Sequence, residues 1–277
     1  MITNKYKFLG LIALLFSLNS CFLFLGVRKK TKIVVEPLIT KEIQDSSLNR
    51  LLLTENKLDT SILILEYQYY VKNDSIWKDS VNQIIGEFFY STTVDYEVSK
   101  NKKYNLSNEF FVSCLDKFYK DAQTDYLNSE YPVLWSYEAS SEISNEYKNF
   151  ITIFKSVYAF TGGAHGNSYQ ESIHIDKLTG RKLKLSDFIT NVKEFTTIAE
   201  QFFREAIGVG EDENLYELGY IFPENKFYCN DNFYIEDGEF HFLYNTYEIA
   251  TYAEGQIEFT VPFDSVKHLI KMDLSKN

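Results

Sequence analysis

The run Asn149-Phe150-Ile151-Thr152-Ile153-Phe154-Lys155-Ser156-Val157-Tyr158-Ala159-Phe160 puts Phe150, Thr152, Phe154, Ser156, Tyr158 and Phe160 on one side of an extended chain. Ile151, Ile153, Lys155, Val157 and Ala159 fall on the other, because successive strand side chains point to opposite faces. Both sides carry apolar groups, the mark of a strand covered on both faces and therefore central in its sheet. Strand-like runs near 132–144 and 168–176 flank it, and another lies at 61–71. Between 71 and 132 the period changes from two to about 3.6. Asp74-Ser75 can cap a helix carrying Trp77, Val81, Ile84, Ile85 and Phe88, and a second helix aligns Phe111, Cys114, Leu115 and Phe118.

Downstream the pattern repeats its mixture of strands and helices. Lys177-Leu178-Thr179-Gly180-Arg181-Lys182 reads as a tight turn. Asn191 with Glu194 gives a capping-box-like start to a helix whose expected buried face is Phe195, Ile198, Ala199, Phe202, Phe203 and Ala206, with Gly208 at the C-cap. Residues 232–244 form a hairpin on Asp237-Gly238. Residues 257–263 form a last strand in which Pro262 points to an edge or an end. Asp264 to Lys271 reads as a short closing helix. The expected fold class is α+β: two consecutive α/β-sandwich-like halves, mainly antiparallel, with helices packed on one face.

At the N-terminus, Lys5 and Lys7 precede an apolar run and Leu18-Asn19-Ser20-Cys21, a secretory signal ending in a lipobox-like tetrad. The expected organisation is a signal peptide over 1–20, a lipidated Cys21 and neck over 21–57, a first half over 58–176 and a second over 177–277. The alternative is an uncleaved N-terminal transmembrane anchor over 8–27, with Arg28, Lys29, Lys30 and Lys32 retaining the C-terminal side inside. The lipoprotein reading implies a bacterial cell-envelope location, lipid-anchored and facing the periplasm.

The 277 residues carry a net charge of -11. Without residues 1–20, which include Lys5 and Lys7, 26 basic residues face 39 acidic ones, or -13. No basic stripe runs through the body, which argues against nucleic acid and in favour of basic partners. Cys114 reads as a buried free thiol, although export would permit a Cys114–Cys229 disulfide. The 21 Tyr and 23 Phe fit either an AT-rich coding sequence or a Tyr-lined binding surface.

One segment stands apart: Thr161-Gly162-Gly163-Ala164-His165-Gly166-Asn167. Three glycines in five positions between strands suggest positive φ or close backbone approach. No Lys-Ser/Thr follows, which argues against a phosphate cradle. His165 is either a general base or a histidine bonded to nearby backbone. His174 and His241, with Glu171 or Glu239, can be drawn as a metal site, but the spacing is not that of a ligand set. The expectation is no catalytic residue, no metal and no cofactor.

Tyr158-Ala159-Phe160-Thr161-Gly162-Gly163-Ala164-His165-Gly166-Asn167, followed by Ile173-His174-Ile175-Asp176, Thr179-Gly180-Arg181 and Asp187-Phe188, resembles the extracytoplasmic module shared by the anti-sigma factor RsiV and the peptidoglycan deacetylase PdaC. Phe233-Tyr234-Ile235-Glu236-Asp237-Gly238, Tyr247-Glu248-Ile249-Ala250, Tyr252-Ala253 and Phe259-Thr260-Val261-Pro262-Phe263 resemble its second half. The resemblance spans roughly residues 58–270 and rests on domain families of unknown function. Only about seven residues precede the apolar run and the chain ends at Asn277, so neither sigma binding nor deacetylation is expected to carry over. What the resemblance implies is sensing: a non-enzymatic module binding a basic, lysozyme-like protein or a peptidoglycan fragment. Its expected surface is the loop Gly162, Gly163, His165, Gly166 and Asn167, with Tyr169, Tyr247 and Tyr252 as aromatic contacts. The alternative is an envelope hydrolase or deacetylase-like enzyme using His165.

Overall fold

The computed structural model describes residues 48–55, 62–72, 74–93 and 102–277. Cys21, the signal segment and the alternative span 8–27 lie outside these residues. Among the described residues no helix is long and apolar enough to cross a membrane.

The chain runs β1 (Leu48–Glu55), β2 (Ile62–Tyr70), α1 (Ile76–Thr93), α2 (Asn108–Asn128), β3 (Ser136–Ser144), β4 (Phe150–Phe160), β5 (Asn167–Asp176) and β6 (Lys182–Leu183). These strands form one six-stranded sheet in the order β1-β2-β3-β4-β5-β6. Every pair is antiparallel except β2 with β3, which run parallel because α1 and α2 cross over between them. β1 lies inside the 21–57 stretch that the sequence marks as a neck; Leu48↔Tyr70 to Glu55↔Leu63 pair it with β2. The sheet likewise takes β6 from beyond Asp176.

After β6 come α3 (Leu185–Phe188), α4 (Val192–Ile207), β7 (Phe233–Glu236), β8 (Glu239–Tyr244), β9 (Ile257–Pro262) and α5 (Phe263–Val266). The second sheet is an antiparallel meander, β7-β8-β9, with β9 at its edge and Pro262 as its last residue. α4 begins at Asn191, whose side chain accepts from Glu194 N, and ends at Gly208 in the left-handed region. It buries Phe195, Ala199 and Phe203. Ile198 and Phe202 are only partly buried, and Ala206 is exposed because the helix turns that position to water. The closing helix is shorter than expected, with α5 giving way to a 3₁₀ turn over Lys267–Leu269.

The alternation of β4 serves two cores. Ile151 and Ile153 belong to a core with α1, α2, Tyr67, Phe89 and Phe111, where Tyr67 stacks on Phe111 at 3.4 Å between centroids. Phe150 belongs to the other core, with Phe188, Phe195, Phe203, Phe233 and Phe259. On the same face as Phe150, Phe154 meets Tyr234 edge-on. Helices therefore cover one face of the first sheet, and part of the opposite face packs on the second half. Cys114 lies in the first of these halves and Cys229 against the core of the second, and both are free thiols. Burial raises the thiol pKa of each, that of Cys229 to about 12.

Candidate functional site

The Gly162–Asn167 connection meets both expectations for its glycines. Gly162 and Gly163 take φ of 113° and 91°, which glycine alone adopts at no steric cost. A Cβ at Gly166 would strike the Tyr158 ring, so this position requires close approach. The Gly166 carbonyl is then a hub. It lies 3.0 Å from His165 Nδ1 and accepts the Tyr252 hydroxyl at 3.1 Å. The His165 ring stacks on Tyr252 at 3.6 Å and 21°. Its Nε2 lies 3.5 Å from the Tyr247 hydroxyl, and Tyr247 in turn contacts Tyr252 at 5.6 Å. Three of the residues singled out in sequence thus form one aromatic cluster, although Tyr247 stands 82 positions from His165.

Tyr247 is 59 % exposed and adopts φ of 68°. For a bulky side chain this is an uncommon, strained backbone state. The surrounding bonds hold it there: Glu248 N donates to Asn245 O, and both Glu248 carboxylate oxygens are engaged, by Asn230 Nδ2 at 2.9 Å and Asn245 N at 2.8 Å. Tyr247 leans over an open cleft of 460 Å³ lined by Tyr169, Glu171, Asn230–Asn232 and Asn245–Glu248. Tyr169 belongs to this cleft and not to the His165 cluster. Partial burial, with the nearby Glu171 and Glu248, pushes its phenol up to about 12. Glu171 pairs with Lys155 at 2.6 Å. Burial beneath the sheet lowers the pKa of that lysine, an effect the glutamate opposes.

The cleft floor rests on a feature that sequence reasoning missed. β5 has no strand partner beyond β4 at Gln170 and Ser172. Two asparagines stand in for one. Asn245 Oδ1 accepts from Gln170 N at 2.7 Å and its Nδ2 donates to Gln170 O at 2.9 Å. Asn232 Oδ1 accepts from Ser172 N at 2.8 Å, and its Nδ2 also donates to Gln170 O at 2.9 Å. Asn230 and Asn232 precede β7 and Asn245 follows β8, so one end of the hairpin carries all three. The available signal was their position immediately outside predicted strands, but asparagines there read as turn residues.

The drawn metal site does not assemble. His174 is wholly buried: its Nε2–H donates to Phe233 O at 2.9 Å and its Nδ1 accepts from Thr152 Oγ1 at 3.0 Å. His241 stacks on Tyr234 at 4.6 Å and lies 3.8 Å from Glu239. Among the described residues no group of three or more His, Cys, Asp or Glu is arranged to hold a metal ion.

The fold is that of an α+β protein with a six-stranded mixed sheet against a three-stranded antiparallel one. Residues 183–264 match a sequence profile described as a protein of unknown function, DUF3298. Two crystal structures share the fold. One, a member of the DUF3298 family from Bacteroides fragilis NCTC 9343, has a TM-score of 0.62 at 21 % identity, covering 81 % of this chain and 93 % of that one. The other, a DUF3298 family protein from Pseudomonas aeruginosa PAO1, has a TM-score of 0.55 at 18 % identity, covering 83 % and 96 %. No curated protein matches the sequence.

Proposed function

We propose that the chain is a non-enzymatic receptor module of the bacterial cell envelope, of the kind found in RsiV and PdaC. It binds a protein or a peptidoglycan-derived ligand at the surface where Tyr247, His165 and Tyr252 meet the Tyr169 cleft. The observation that carries this reading is the strained, exposed Tyr247, held by a hydrogen-bonded loop and flanked by a stacked His165–Tyr252 pair. Rigid aromatic side chains at a surface cleft contribute contact area at little entropic cost. The His165 ring nitrogens face the Gly166 carbonyl and the Tyr247 hydroxyl, neither of them a carboxylate. A histidine so engaged suits shaping the loop better than abstracting a proton.

The test is titration with a C-type lysozyme and with muropeptides, for the parent chain and for a Tyr247→Ala/Tyr252→Ala variant. Saturable binding to either probe, weakened at least tenfold in the variant, is the expected result; absence of binding to both overturns the reading. His165→Ala separates the enzymatic alternative, which requires a muropeptide-directed turnover that this substitution abolishes. The anchor is proposed to be a lipid on Cys21. Mass spectrometry of the mature N-terminus should find diacylglyceryl-Cys21, whereas an intact Met1 would point to an uncleaved span.

A further inference from the structure

The second sheet has two margins, and only one of them is sealed. On β7, Phe233 O accepts from His174 Nε2 at 2.9 Å and Ile235 O from the Tyr147 hydroxyl at 3.2 Å, so the first half closes it. The margin of β9 is different. The two-residue turn at Asp237-Gly238 makes Glu236 and Glu239 the closing pair of the hairpin, so β8 turns the main-chain groups of 239, 241 and 243 towards β7. The bond from Leu243 N to Asn232 O at 3.0 Å keeps that phase. Residues 240, 242 and 244 therefore serve β9, at 261, 259 and 257. The N–H and C=O of Glu258 and Thr260 face away from β8, and among the described residues no group bonds to them.

A shelf runs beside this margin. α4 packs over β9, with Phe203 edge-on to Phe259. Its Thr196 bonds with the Cys229 thiol, on the side from which the chain enters β7. The opposite flank of the helix, Ile198 and Phe202, overhangs the open margin and is only partly buried. A strand laid along β9 places alternate side chains against that shelf and the others beside Glu258, which is exposed, and Thr260. A second copy of this chain suits the place poorly. It brings its own Glu258 and a body of the same sign, at a net charge of -11, and its Pro262 lacks a donor.

We propose that β9 is a strand-addition site, at which an extended segment of a partner protein joins β7-β8-β9 as a fourth strand. The main chain of Glu258 and Thr260 supplies the bonds, and Ile198 and Phe202 select apolar residues at every second position. Glu258 excludes acidic residues from the positions between. This goes beyond the receptor reading, since it uses neither Tyr247 nor the Tyr169 cleft.

The experiment titrates the full chain in detergent with labelled nine-residue peptides that alternate Val with Ser or Thr between terminal lysines. Each peptide is also made with every second amide N-methylated, in either phase, which blocks one edge of the strand and spares its side chains. Two protein variants accompany them. Thr260→Pro removes an outward N–H and leaves the bonds to β8, and Phe202→Ser removes part of the shelf; circular dichroism checks that both fold. Saturable binding is expected, weakened tenfold or more by N-methylation in one phase and less than threefold in the other. Thr260→Pro should weaken it at least tenfold and Phe202→Ser at least threefold, and bound peptide should slow amide exchange at Glu258 and Thr260. No saturable binding, or equal binding of both N-methylated phases and the parent peptide, overturns the inference. Dimers of the parent chain that Thr260→Pro abolishes would put a second copy on this margin and overturn it as well.

Discussion

His174 sits in a box of Phe150, Phe188 and Phe233, with ring centroids 5.5, 5.1 and 4.6 Å away. Burial there lowers its pKa from 6.5 to about 4, against the smaller opposing effect of the Phe233 carbonyl. The unfolded chain therefore takes up a proton between those values that the native state refuses. Stability is intact above pH ~6.5 and drains away as the pH falls towards 4, by at most about 3 kcal/mol. Urea melts of the parent at pH 7.5 and 5.0 should show this loss, and His174→Ala should flatten the dependence across the window. Substitution also leaves Phe233 O and Thr152 Oγ1 without their partner, a cost of about 1–3 kcal/mol at neutral pH.

Among the elements, α4 is the one whose sequence and structure agree most closely, and the reason is local. Its cap, its buried stripe and its C-terminal glycine all act within a few residues of one another. Gly208 has φ of 70° and open space where a Cβ would point, so Gly208→Ala tests conformation alone. A loss of about 1 kcal/mol, read as a lower Tm, is expected. The Asp237-Gly238 hairpin was legible for the same reason, with φ of 48° and 83°. β1 was not: Leu48-Asn49-Arg50-Leu51-Leu52-Leu53-Thr54-Glu55 does not alternate, and only its partner β2 makes it a strand. At the candidate site, the bond from His165 to its neighbour's carbonyl could be anticipated. The Tyr252–Gly166 and Asn245–Gln170 contacts, 86 and 75 positions apart, could not be read from spacing.

At the scale of the molecule, β4 contributes to both cores and the asparagines of the hairpin end close β5, so neither half is complete without the other. A single cooperative transition follows. Trp77 and Trp135 both lie in the first half, whereas far-UV circular dichroism reports on all elements. Coincident midpoints by fluorescence and by dichroism are expected, and separated midpoints would refute the coupling.

The asparagine closure of β5 makes the molecule's self-restraint depend on two short amides. Asn245→Ala strips Gln170 N–H of its acceptor, for about 1–3 kcal/mol. It also bares a strand margin that a neighbouring molecule can zip onto. Such a variant should form concentration-dependent dimers in light scattering before it unfolds. Deamidation at Asn245 would act differently, keeping an acceptor for Gln170 N–H and removing the Nδ2 donor to Gln170 O.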